Sequence, residues 1–205
     1  MSHFRYVIAS VLSLIIISGC GRPANLDPTD EDEGPDEYLA TAEPPCGSPM
    51  KSLIKNGNFS ADLTDWTVEI HDPPSASVSA ILEKKNKIAR VRNSKEQLFY
   101  QVQFWQPVAS ITRDHCYHVC FRGKGYKPRP IKVQVQKNAA PWTSYGLWYP
   151  ENLTELWGTY ETEFWATETA TDARLTLLFG DSTETAYVDD ITLIDRGDVE
   201  DCAVR

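Results

Sequence analysis

The sequence lacks the signatures of several common functional classes. It has four histidines in 205 residues, and it contains neither the Gly-x-Ser-x-Gly elbow of a serine hydrolase nor the His-Glu-x-x-His pattern of a zinc peptidase. Its 29 acidic residues outnumber its 20 basic ones, and no basic patch indicates a nucleic-acid partner. We therefore expect a protein that is not an enzyme and does not bind nucleic acid.

Helical periodicity is missing as well. No segment repeats apolar residues every 3.6 positions, so we expect little helix. Short runs that alternate apolar and polar residues recur between Gly, Pro, Asn and Asp, which is typical of an all-β fold of the β-sandwich or jelly-roll type. The expected strands are 66–70, 76–82, 88–91, 98–108, 115–121, 131–136, 158–166, 174–179 and 186–194.

Alternation also selects the residues that should face the interior. Between residues 46 and 205 the chain has about 160 residues, enough for one domain with a sizeable core. The predicted core consists of Val102, Phe104, Val119, Phe121, Ile131, Val133, Val135, Leu175, Leu177, Phe179, Ile191 and Leu193.

Residues 1–19 have the features of a secretory signal. Arg5 precedes an apolar run from Val7 to Ile17, which is too short for a permanent membrane span but suits a signal peptide. The run ends in Ser18-Gly19-Cys20, which resembles a bacterial lipobox and implies a lipid anchor on Cys20. The expected location is the bacterial cell envelope, at the outer membrane in a diderm cell, with the domain in the periplasm or at the surface. The alternative is an ordinary signal peptide with an incidental Cys20.

Residues 20–45 form an acidic, proline-rich segment. Eight carboxylates stand against Arg22 alone, so residues 21–45 carry a net charge of −7. With five prolines and few aromatic residues, the segment is predicted to be a disordered tether between the membrane and the domain.

Two segments near the ends of the domain form a recognisable pair. The first, Leu53 to Trp66, is expected to begin as a short apolar strand at Leu53 and Ile54 and to turn at Asn56-Gly57-Asn58. Its two large residues, Phe59 and Trp66, are expected to point inward. The second, Ala186 to Asp195, is an alternating strand with the adjacent acids Asp189-Asp190. Together they resemble the opening and closing signatures of carbohydrate-binding module families four and nine. The resemblance covers about 52–195 and implies a galactose-binding-like jelly roll that binds a polysaccharide or oligosaccharide without cleaving it.

In the resembled families the sugar cleft lies on the concave sheet, and alternation indicates which residues could line it. Opposite the predicted core residues lie Gln101, Gln103 and Trp105 on one strand, and Gln134 and Gln136 on another. Amides bond sugar hydroxyls and flat rings cover a pyranose face. The alternative is a solvated sheet face.

Aromatic and basic residues elsewhere extend the candidate site. In the predicted loop 138–150, some of the aromatic residues Trp142, Tyr145, Trp148 and Tyr149 are expected to line the ligand site, with Trp142 and Tyr145 at the cleft rim. Packing as a lid on the sandwich is the alternative for Trp142 and Trp148. Arg90 could bind hydroxyls or an acidic sugar, or could simply be solvated.

The family resemblance also implies one structural Ca²⁺. Asn58, Glu83 and Asp189 could supply the oxygen ligands that Ca²⁺ prefers. The position after Phe59, often acidic in the family, is Ser60 here, which weakens the expected site.

Export would place the remaining cysteines in an oxidising compartment, where four cysteines allow three pairings. The family topology, with its first and last strands antiparallel, implies a bond between Cys46 and Cys202. Cys116 and Cys120 lie ~13 Å apart on a regular strand, beyond the ~7 Å limit for bonding each other. They are expected to be free, half-buried thiols unless a bulge intervenes.

The predicted function is non-catalytic polysaccharide binding by a membrane-anchored domain. The first alternative is an envelope protein that binds other proteins through the same fold. A second is a glycoside-active enzyme using Glu161 and Glu163, which would lie ~7 Å apart on one strand face.

Overall fold

A computed structural model describes Cys46, residues 51–200 and Cys202. The predicted signal peptide, Cys20 and the acidic tether lie outside the described residues. The described residues include two 3-10 turns, Pro73–Ser75 and Phe99–Gln101. Within this part of the chain, no helix is long and apolar enough to cross a membrane. The strands are β1 Thr67–Ile70, β2 Ala76–Glu83, β3 Asn86–Asn93, β4 Val102–Val108, β5 Cys116–Gly125, β6 Arg129–Lys137, β7 Ser144–Leu153, β8 Gly158–Trp165, β9 Ala173–Leu178 and β10 Ala186–Gly197.

The strands form two antiparallel sheets of five. The front sheet has the order β1-β4-β9-β6-β7, and the back sheet has the order β2-β3-β10-β5-β8. Each sheet turns one side of its alternating strands toward the other, which builds the core between them. The predicted all-β sandwich is confirmed.

The core contains the residues that alternation selected. All twelve predicted core side chains are buried. Phe59 and Trp66 also point inward as expected: the Trp66 ring lies 4.5 Å from that of Phe104, and the Phe59 ring lies 5.8 Å from it. These aromatic contacts hold the segment before β1 against β4.

The predicted loop 138–150 is wrong over its second half. Residues from Ser144 onward form β7, which pairs with β6 at the edge of the front sheet. Tyr145 and Leu147 face the core, whereas Trp148 faces outward at 49% exposure. The turn-forming Gly146 and Pro150 obscured this alternation in the sequence.

The strand predicted at Leu53 and Ile54 is not formed, and an isolated bridge at Ser52 takes its place. Only Ser52 bridges to Ile194, and the Leu53 N–H donates to the Leu193 carbonyl at 2.7 Å. The chain then turns at Gly57, where a Cβ atom would lie 2.0 Å from the Ile191 carbonyl oxygen. The segment therefore packs as a corner against β10 instead of extending along it.

The cysteine pairing differs from the prediction. Cys46 bonds Cys120, and Cys116 bonds Cys202; the expected Cys46–Cys202 bond and the two free thiols are both wrong. Cys116 and Cys120 are not bonded to each other, as their spacing along the strand predicts, but each bonds a cysteine near a different end of the domain. The Cys46 carbonyl accepts from Thr192 of β10, and Thr192 pairs with Cys120 of β5, so the N-terminal segment meets the sheet there.

Candidate functional site

The outward side of the front sheet brings the predicted glutamines together. Trp105 of β4 and Gln134 of β6 both lie opposite Thr176 of the intervening strand β9. Gln103 occupies the same side of β4, and Gln136 lies opposite Arg174. The two strands with the glutamines therefore belong to one sheet and present them to one surface, as the alternation predicted.

A cleft of about 370 Å³ opens on this surface. Trp142 and Trp148 line it with about half of each residue exposed, and Tyr100 is 41% exposed. Phe99 packs edge-on to Trp148 at 5.5 Å. The lining residues are Glu69, His71, Phe99, Tyr100, Gln103, Gln134, Gln136, Trp142, Trp148 and Arg174.

Arg174 forms the charged part of the cleft floor. Its side chain is 3% exposed and pairs with Glu69 at 3.4 Å. Burial lowers the pKa of the Arg174 guanidinium from its ordinary value, while the Glu69 carboxylate opposes that change. Because Glu69 also accepts from the Trp105 indole N–H at 3.2 Å and contacts His71 at 3.0 Å, β1 is tied to the floor.

The charges around the cleft are paired with one another. Besides the Glu69 and Arg174 pair, Lys132 on the same surface binds Asp181 and lies over the Phe99 ring. Among the described lining residues, no cation stands without a carboxylate partner. What the cleft offers a ligand is thus aromatic surface and the half-buried Gln134 amide, since Gln103 and Gln136 are buried.

Four predicted ligand residues do not line the cleft: Gln101, Trp105, Tyr145 and Arg90. The Trp105 ring instead lies against the Arg174 guanidinium, and its indole N–H donates to Glu69. Gln101 turns its amide oxygen back to the Leu98 N–H at 2.9 Å. Tyr145 is buried on the core side, where its hydroxyl donates to Asp172 at 2.8 Å; burial first, and then Asp172, raises its pKa to about 12. Arg90 lies on the back sheet and donates to Ser79.

The two carboxylates proposed for the enzyme alternative lie away from the cleft and are paired with other side chains. Glu161 and Glu163 lie on β8 of the back sheet. Glu161 is 3.1 Å from His118, and Glu163 binds Arg196. Neither carboxylate lines the cleft.

Sequence reasoning missed several lining residues, namely Glu69, His71, Phe99, Tyr100 and Arg174. Alternation along β9 does carry a signal for Arg174, because the core residues Leu175 and Leu177 place positions 174 and 176 on the outward side. Phe99 and Tyr100 lie in a 3-10 turn, where the two-residue period gives no direction.

Of the three predicted calcium ligands, Glu83 and Asp189 line one pocket and Asn58 lines another. Asp189 is fully buried; Asn86 donates to its Oδ2 at 2.6 Å, and its Oδ1 has no hydrogen-bond partner. Glu83 instead accepts from Lys124 at 2.6 Å, which holds the pKa of Glu83 below its usual value. Asn58 lines a separate pocket with Asp190. Of the three, Asp189 alone presents an open oxygen in a buried site.

Among the described residues, one cluster of potential metal ligands combines Glu163 with Cys116 and Cys202. Those two cysteines are bonded to each other, so they are not thiolate ligands.

Comparison with known proteins decides the family. The profile of the CBM4/9 family, described as a carbohydrate binding domain, matches residues 51–184. The chain belongs to this family. The CBM domain is therefore a non-catalytic carbohydrate-binding module, and its two disulfides indicate an extracytoplasmic location. No curated protein sequence matches the chain.

Solved structures share the sandwich of this CBM. A structure described as "CBM4 structure and function" is 25% identical with a TM-score of 0.61, covering 70% of this chain and 99% of that one. A putative sugar binding protein from Bacteroides thetaiotaomicron is 12% identical with a TM-score of 0.56, covering 71% and 100%. A Clostridium thermocellum xylanase fragment with CBM22-1 and GH10 modules, complexed with xylohexaose, is 13% identical with a TM-score of 0.54, covering 71% and 29%. The last two likenesses concern the fold alone.

Proposed function

We propose that the front-sheet cleft binds an uncharged polysaccharide, soluble or in a cell wall, without cleaving it. The observation that carries this proposal is the pair of half-exposed rings, Trp142 and Trp148, beside a floor of glutamine amides. Indole rings cover the apolar face of a pyranose, and amides bond its hydroxyls as donor and acceptor at once. Gln134, which is half-buried, supplies such an amide, while Gln103 and Gln136 are buried and accept hydrogen bonds from Arg174 beside it.

The preference for an uncharged ligand follows from the paired charges. An acidic sugar would need a cation free to meet its carboxylate, and Arg174 and Lys132 already hold Glu69 and Asp181. Separating either pair to bind a uronate would leave a partly buried carboxylate uncompensated, which costs free energy. A neutral glycan requires no such separation.

A glycan panel tests this function. Affinity electrophoresis would compare neutral chains, such as soluble xylan and β-glucan, with polygalacturonate. We expect retardation by at least one neutral chain and its loss in the Trp142→Ala, Trp148→Ala double variant. Retardation by no glycan, together with specific capture of one envelope protein, would replace this function with the protein-binding alternative.

We also propose that the protein is anchored to a cell-envelope membrane by lipid on Cys20. Support comes from the lipobox-like Ser18-Gly19-Cys20 and from the extracytoplasmic disulfides. The full chain expressed in a bacterial host should partition into detergent, and the mass of its N-terminal peptide should show acylated Cys20. Cys20→Ser should enter the aqueous phase; equal partitioning of both proteins would contradict the anchor.

We propose a structural calcium ion at Asp189, whose open Oδ1 is a ligand of the type that Ca²⁺ prefers. Glu83 lines the same pocket as Asp189, where its carboxylate is paired with Lys124, whereas Asn58 lines a different pocket. Calcium should raise the thermal midpoint of the EDTA-treated protein and leave that of Asp189→Asn unchanged. No effect on either protein would remove the ion from the proposal.

A further inference from the structure

Trp142 is held in an unusual backbone conformation next to the cleft. Its φ angle is 58°, in the left-handed region that bulky residues rarely adopt. Its N–H donates to the Ala139 carbonyl at 3.0 Å, and half of the residue remains exposed. Strained residues of this kind persist only when the surrounding structure holds them, and they concentrate at functional sites.

The guanidinium of Arg174 lies against the Trp142 ring. Its central carbon is 4.9 Å from the centroid of the Trp142 ring and 4.8 Å from that of Trp105. A guanidinium close to an aromatic ring is attracted by the ring's negative face, most strongly where water is excluded. With a side-chain exposure of 3%, Arg174 meets this condition.

The remaining contacts of Arg174 fix the guanidinium itself. Its Nη2 donates to the Gln103 Oε1 at 2.9 Å, and its Nη1 donates to Glu69 at 3.4 Å. With the Gln136 amide turned so that its oxygen faces the guanidinium, that oxygen accepts from Nε at 3.0 Å and from Nη2 at 2.8 Å. The planar fork therefore has partners on three strands, β1, β4 and β6, and cannot turn away from Trp142 without losing them.

We propose that Arg174 is a positioning residue that clamps the Trp142 ring in place as an aromatic platform of the cleft. It acts through Trp142, because its own donors are already engaged by protein acceptors and its side chain is buried. The role of the platform in holding a sugar rests on the proposed function. The clamp itself is a property of the free protein and can be measured without any glycan.

Relaxation of the Trp142 indole N–H measures the clamp directly. In ¹⁵N NMR spectra of the full chain without ligand, the indole signal that disappears in Trp142→Ala is assigned to Trp142. Its heteronuclear NOE should be as high as that of the buried Trp66 in the wild type and should fall clearly in Arg174→Met. Arg90→Met, which removes an arginine of the back sheet, is the matched control and should leave the value unchanged. An equally rigid Trp142 indole in Arg174→Met would overturn the clamp.

A double-mutant cycle measures whether the clamp serves binding. Against the neutral glycan that retards the wild type, Arg174→Met should weaken binding about tenfold, equivalent to about 1.4 kcal/mol. In the Trp142→Ala background the same substitution should cost less than about twofold, since coupled residues are not additive. Equal losses in both backgrounds would show that Arg174 acts independently of Trp142 and would overturn the proposal.

The two measurements separate this inference from the function on which it rests. If the wild type binds no glycan, the proposed function fails, while the indole relaxation still decides the clamp. Arg174→Gln is the second variant should Arg174→Met not give a folded amide spectrum. The same fall in the Trp142 NOE is expected from it, and an unchanged value would count against the clamp.

Discussion

The two exposed indole rings of the cleft, Trp142 and Trp148, are held in position in different ways. Trp142 and Trp148 are about equally exposed, yet the loop before β7 carries one and β7 itself carries the other. Trp148 lies on a paired strand opposite Gln134, so its position is set by sheet register. Binding at Trp148 should therefore not depend on Arg174.

Trp148→Ala should weaken glycan binding about tenfold, or about 1.4 kcal/mol, because a half-exposed ring beside amides is the surface a pyranose would cover. Titration calorimetry with the retarding glycan measures this. Tyr126→Ala is the control, since Tyr126 is 69% exposed but does not line the cleft. An unchanged affinity in Trp148→Ala would contradict the assignment of this ring.

Asp189 should make the stability of the calcium-free protein depend on pH. Burial first, and then the neighbouring Asp190, raises the pKa of Asp189 to about 7 from an ordinary 3.8. The folded protein then holds the proton more tightly than the unfolded chain. The stabilisation is fully present below pH ~4 and is lost as the pH rises through about 7.

Urea unfolding in EDTA checks this dependence. The midpoint of the wild type should fall between pH 4 and 7, and the fall should be smaller in Asp189→Asn, which cannot ionise there. Parallel profiles for the two proteins would assign the pH dependence to other groups.

At the scale of strands and turns, the period of two predicted the fold and much of the cleft. Nine expected strands are present and the glutamines share one surface, because burial on one side leaves an alternating pattern in the sequence. The direction of Gln101 was not predictable, since a 3-10 turn breaks the alternation just before β4. The disulfides were not predictable either, because the pairing depends on which strand each chain end crosses.

The corner at Gly57 allows a test of local packing. A methyl group there would meet the Ile191 carbonyl at 2.0 Å, which is backbone and cannot move aside cheaply. We expect Gly57→Ala to lower the free energy of unfolding by about 1–3 kcal/mol. Gly197→Ala, where no atom lies within 4 Å but φ is 76°, should cost only about 1 kcal/mol. Equal urea midpoints for Gly57→Ala and the wild type would contradict the close approach.

The disulfides give a second prediction at this scale. Non-reducing peptide maps should join Cys46 to Cys120 and Cys116 to Cys202. Replacing both cysteines of one pair by serine should cost about 2–5 kcal/mol of stability, measured by urea unfolding of the otherwise oxidised protein. A peptide joining Cys46 to Cys202 would restore the pairing that the family topology implied.

For the whole molecule, the cleft is built within the compact unit Thr41–Arg205. A fragment of residues 46–205 should therefore bind the retarding glycan within about twofold of the full chain, by calorimetry. The fragment lacks Cys20 and should not partition into detergent. A tenfold weaker fragment would mean that the N-terminal residues contribute to binding.

Cys46 and Cys202, near the two ends of the domain, are both bonded to β5 on the side of the back sheet away from the core. Tyr117, Val119 and Phe121 of this strand point into the sandwich, so Cys116 and Cys120 point out, opposite the cleft. A force applied to the N-terminus while a glycan is bound in the cleft would therefore be transmitted to the domain through the Cys46–Cys120 disulfide. This bond attaches to β5, which pairs with β10 on one side and with β8 on the other. Under tension the load would be shared by two neighbouring ladders of hydrogen bonds, and the edge strands would not be peeled off one by one.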